Sequence, residues 1–141
     1  MSDVSTLFGS PPYGLVRNLP GVGYADAIQA VRQALAAEGF GVLTEIDVAA
    51  TLDKKLGVDF RPYVILGACN PPLAHQALDA EPAIGLLLPC NAVVAAEDDG
   101  SATVAFIDPV SQFSVVGRDE LATVAEEVKA RLLRVLDALP G

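Results

Sequence analysis

Two cysteines end two strongly apolar runs, Cys69 after YVILGA and Cys90 after IGLLLP, and each is followed by an asparagine, Asn70 and Asn91. A deprotonated cysteine sulfur is both a nucleophile and a soft-metal ligand. The pair therefore points to thiol chemistry on a small electrophile or sulfur species, or to binding of a soft metal or small ligand. Cys69 directly precedes Asn70, which reads as the cap of a helix opened by Pro71, and the positive end of a helix dipole favours a thiolate. Cys90 follows Pro89, where a kink in an apolar strand re-aims side chains. Cys69 and Cys90 are thus the candidate catalytic residues, and Asn70, Asn91, Pro71 and Pro89 the candidate ligand-binding residues beside them. The opposite reading treats both sulfurs as small apolar side chains, since free cysteine is among the most buried residue types. In that case the chain is a non-enzymatic module that binds a ligand or protein in a groove at the strand ends.

Other chemistries find less support. The two cysteines are 21 positions apart, neither a zinc-ribbon nor a thioredoxin spacing, and donors for a four-ligand metal site are too few, so no metal ligands are assigned. His75 is the only histidine, and its place on the helical wheel turns it away from the packed side. Glu97, Asp98 and Asp99 read as a solvated turn, and Asp47, Asp59 and Asp108 as caps or turn residues. Gly21 and Gly23 precede a helix, but Asp26 stands where a dinucleotide fingerprint needs its third glycine. Lys54 and Lys55 suit a helix C-terminus before they suit a ligand.

The elements that must hold the cysteines follow from hydrophobic periodicity. Residues 13–19 alternate as a strand, and residues 24–38 carry an apolar stripe of Tyr24, Ile28, Val31 and Leu35 that ends at Gly39. A strand at 41–46 leads to a short helix at 48–56 with the stripe Val48, Leu52 and Leu56. Residues 63–68 read as an interior strand. A helix follows, with Leu73, Ala74, Ala77 and Leu78 packed. Residues 84–88 read as a strand kinked at Pro89 and continued by 91–97, and Asp98-Asp99-Gly100-Ser101 as a hairpin turn into a strand at 102–108. Residues 110–117 are expected to be a connection, and Asp119 to cap a last helix reaching about Leu139. The expected fold class is α+β: one mixed or mostly antiparallel sheet with helices largely on one face.

Composition bounds the rest. A chain of 141 residues fits one domain, read here as residues 13–141 after a flexible tail at 1–12. With 52% apolar and 19% charged residues and a mean hydropathy of +0.43, a bare sheet face would be a large apolar patch, which predicts a homodimer. A net charge of −9 opposes nucleic acid and anionic membranes as partners. With no transmembrane-length apolar run and no signal-peptide pattern, the expected location is the cytoplasm, where both cysteines would stay reduced.

The stretch GFGVLTEIDVAATLDKKLG from Gly39, YVILGACNPPLAHQAL from Tyr63 and IGLLLPCNAVV from Ile84 resembles the TT1751-like DUF302 family, a domain of unknown function. The resemblance runs from about Tyr13 to Leu139. It implies a compact fold of β-α-β(4)-α outline with extra short helices, a homodimer, and no established activity. The family's GACNP and LPCN cysteines fall on Cys69 and Cys90, whereas His75 lies outside its pattern.

Overall fold

The computed structural model describes residues 7–141. Its elements are β1 (Gly14–Leu19), α1 (Tyr24–Ala37), β2 (Gly41–Asp47), α2 (Val48–Leu56), β3 (Tyr63–Cys69), α3 (Pro71–Ala80), β4 (Cys90–Ala96), β5 (Ala102–Ile107), α4 (Pro109–Phe113) and α5 (Asp119–Ala138). A 3-10 helix, Pro82–Leu87, lies between α3 and β4, and a shorter one, Ser114–Val116, links α4 to α5. The strands form a single sheet in the order β1-β5-β4-β3-β2, and every neighbouring pair is antiparallel. The fold is α+β.

Side chains alternate across a strand, so the register decides which residues make the core. Val64 pairs with Val94 and Val94 with Val104; Leu66 pairs with Ala92 and Ala92 with Phe106. These rows are buried, and Val31 and Leu35 of α1 and Leu121, Leu132 and Val135 of α5 are buried with them. Each large side chain removed from water here contributes about 1.5–3 kcal/mol. Arg17 shares a strand with this core, and its guanidinium donates to the carbonyls of Leu136 (2.7 Å) and Leu139 (2.9 Å). It thereby caps the C-terminal end of α5, adding to the bond that the Leu136 carbonyl accepts from Leu139 N. The opposite face carries the row Ile46, Ile65, Val93, Ala105 and Val16.

Sequence signals hold at several helix ends. The Asp47 carboxylate accepts from Ala50 N and caps α2, and Asp108 accepts from Val110 N and Ser111 N to cap α4. Gly39 closes α1 at a φ of +84°, where a β-carbon would also come within 3.1 Å of the Asn70 amide nitrogen. Among the described residues no helix is long and apolar enough to cross a membrane.

Several expectations need correction. Residues 84–88 do not form a strand: they lie in or beside the 3-10 helix, and β4 begins only at Cys90, after the cis peptide Leu88-Pro89. Pro82 opens that helix in its first turn, where its missing N–H costs nothing. Residues 110–117 are mostly helical, because Asp108-Pro109 caps and starts α4 rather than only ending β5. Arg118, not Asp119, is the N-cap residue of α5, and Asp119 lies in its first turn. The α2 stripe buries nothing, with Leu56 69% exposed. In α3, Leu73 and Ala77 are buried while Leu78 is exposed. Glu97 is buried rather than solvated, accepting a hydrogen bond from the Thr103 hydroxyl.

Candidate functional site

The register sets Cys90 directly opposite Ala68, so Cys69 stands one position diagonal to it, where β3 gives way to α3. Beside them opens a pocket of about 380 Å³. The strand ends contribute Ala68, Cys69, Pro89 and Cys90, and α3 contributes Leu73, Ala74, Ala77 and Leu78. Phe40 and Leu43 line the β2 side, with Phe113 of α4 and Val124 and Val128 of α5 beyond. The lining is almost wholly apolar. A cavity of this size and character suits a small apolar ligand.

The two sulfurs differ in their surroundings. Cys90 is buried and Cys69 only partly so, and neither forms a disulfide. Burial pushes the Cys90 thiol up to about 11, and the neighbouring Cys69 acts in the same direction. Cys90 is therefore a neutral thiol at physiological pH, poor as an attacking group.

Asn70 contributes mainly to architecture. It is 6% exposed, its oxygen accepts from Leu73 N at 3.3 Å to cap α3, and its amide nitrogen donates to Glu38 O at 3.4 Å. Asn70 thus ties the start of α3 to the end of α1 while lining the pocket. Asn91 does not join it. It follows Cys90 in β4, so alternation turns it to the sheet's other face, where it is exposed. Pro71 is exposed at the first position of α3 and is not among the lining residues. Pro89 lines the pocket and also crowds Gly67: a β-carbon at Gly67 would fall 2.8 Å from Pro89 Cγ and 2.3 Å from Thr44 Oγ1. His75 is exposed, with its Nε2 3.4 Å from the Asp79 carboxylate. Among the described residues, no three His, Cys, Asp or Glu side chains cluster as a metal site.

Sequence reasoning missed the roles of Phe40, Leu43 and Phe113 in this pocket. Nothing local marks them, since they are separated in the chain and meet only through the fold. Val124 and Val128 were legible as members of the packed stripe of α5, though not as pocket lining.

A five-stranded antiparallel sheet with its helices over one face and an apolar pocket at the strand ends defines a small α+β domain. Its sequence matches the family described as a domain of unknown function, DUF302, over residues 17–139, and the chain belongs to that family. It is similar to a solved structure, an uncharacterized conserved DUF302 protein from Bacillus stearothermophilus. The two share 30% identity and a TM-score of 0.84, over 92% of this chain and 99% of that one. No curated protein matches the sequence.

Proposed function

We propose that this DUF302 domain binds a small apolar ligand in the pocket between the ends of β3 and β4, α3 and α5, with Cys69 and Cys90 in its wall. The observation that carries this reading is the pocket itself: about 380 Å³ of nearly unbroken apolar lining that includes both cysteines. Free apolar surface of this kind is stabilised by an apolar occupant at about 25 cal/mol per Å² removed from water.

The test is a titration with the neutral fluorophore N-phenylnaphthylamine. Saturable fluorescence enhancement is expected in the native protein. It should be lost in Ala74→Phe, which fills the pocket from a partly exposed position, with circular dichroism unchanged. Cys69→Ala and Cys90→Ala should retain it. Undiminished binding by Ala74→Phe would locate the probe elsewhere and end this reading.

A thiol function is the second reading, and it rests on the partial exposure of Cys69 one residue before the α3 cap. Under it, Cys69 attacks an electrophile or, with Cys90, holds a soft metal ion. Alkylation by iodoacetamide across pH, resolved by peptide mass, separates the two readings. A Cys69 that reacts fast well below the free thiol pKa of about 8.5 favours thiol chemistry.

The functional unit on this reading is a homodimer in the cytoplasm. Leu43 and Ile46 of β2, Leu56 of α2 and Val58 beyond it are exposed apolar side chains along one sheet edge, which supports burial by a second copy. Free cysteines suit a reducing compartment.

A further inference from the structure

We propose that the sheet face turned away from the helices carries a second, separate site, which binds a small quaternary ammonium compound between the rings of Phe8, Tyr13 and Tyr63. A cavity of about 380 Å³ lies there, and it shares no lining residue with the cysteine pocket. Its floor is a row across three strands, Val16, Ala105 and Val93, in paired register.

The walls are aromatic in a chain that has little aromatic content to place. Five phenylalanines and three tyrosines make eight such side chains; besides Phe106, whose side chain is buried in the core, Phe8, Tyr13, Phe60 and Tyr63 gather around this cavity or against its wall. Phe8 and Tyr63 meet with centroids 6.2 Å apart and planes at 76°, so their faces form two sides of a corner. Phe60 braces Tyr63 from another side at 5.9 Å. Tyr13 is 62% exposed beside them. Burial first, and the nearby Tyr13 second, raise the Tyr63 pKa, so the Tyr63 phenol stays neutral.

The chemistry of the lining selects the occupant. Among the described residues it contains no lysine, arginine or histidine to partner an anion. Ring faces attract cations, and a net charge of −9 draws cations toward the molecule. Among the described lining residues, the Asn91 amide is the only side-chain polar group apart from the tyrosine hydroxyls, too few acceptors for the N–H groups of a primary ammonium. A fully methylated ammonium has no N–H to satisfy, and its methyl groups suit the Val16, Val93 and Ala105 floor.

The experiment compares choline with its uncharged isostere dimethylbutanol, in which carbon replaces nitrogen, by NMR titration of the full chain. Choline is expected to give saturable shifts at Phe8, Tyr13, Tyr63 and Asn91, and the isostere to bind about three- to thirtyfold more weakly. Tyr13→Ala should lower choline affinity by a similar factor, whereas Tyr63→Phe, which keeps the ring, should leave it within about twofold. Equal binding of the isostere would reduce the site to an apolar cavity and overturn the proposal. So would the absence of saturable choline shifts, or unchanged choline affinity in Tyr13→Ala.

Discussion

At the scale of single residues, the two cysteines that look equivalent in sequence are chemically unlike. Both end apolar runs and precede asparagine, yet Cys90 is enclosed between Ala68 and the helical layer while Cys69 sits partly open at a strand end. Burial holds the Cys90 proton in the folded state up to about pH 11, whereas the unfolded chain releases it near the ordinary 9.0. Folding stability is thus unaffected by this group below about pH 9 and falls as pH rises toward 11. At about 1.36 kcal/mol per unit, the expected loss is about 2–3 kcal/mol. Urea unfolding of the native chain and of Cys90→Ala across this range checks it, because the variant should lack that part of the decline. Parallel curves for the two proteins would show that Cys90 ionises freely in the fold.

At the scale of elements, the site depends on how tightly β2, β3 and the Leu88-Pro89 segment approach one another. Gly67 lies in the middle of that approach, with Thr44 on one side and the Pro89 ring on the other. Its role is space rather than backbone freedom. Gly67→Ala is expected to destabilise the protein by about 1–3 kcal/mol, as overpacking does. Adding Thr44→Ala should restore only part of this, because the Pro89 contact at 2.8 Å remains. Denaturant midpoints of the single and double variants measure both effects. A wild-type midpoint for Gly67→Ala would mean that the strands separate without cost. Asn70 works at the same scale: one side chain caps α3 and joins it to the end of α1, so the pocket wall and the helical layer share an anchor.

At the scale of the whole molecule, the apolar surplus of the sequence divides among three places. Most goes into the layer between sheet and helices, part lines the two cavities, and part remains on the β2 edge. Leu56, 69% exposed on a helix that buries nothing, belongs to the last group. Leu56→Glu should therefore leave the stability of an isolated subunit within about 0.5 kcal/mol, as surface changes do. In the proposed homodimer it should shift sedimentation toward monomer, by adding a charge to a contact between two copies carrying −9 each. A variant that sediments like the parent would exclude this edge from the interface.

Local signals were sufficient for most elements. Asp47 and Gly57 bracket α2, Asn70-Pro71 opens α3, and the stripe of α5 is readable from its spacing, because caps and periodicity act over a few residues. The DUF302 resemblance was likewise carried by contiguous stretches. Local signals failed where an apolar run could serve either state: residues 84–88 read as a strand, yet 84–87 lie in a 3-10 helix that Pro82 opens, and none of the five strands includes them. The sequence by itself determined that two thiols lie at the ends of two apolar segments. Only the tertiary structure decided that one is sealed and the other partly open, and that Asn70 and Asn91 face different cavities. The reason is register: side chains reverse faces at every step of a strand, so which residues converge depends on pairings made across the sheet.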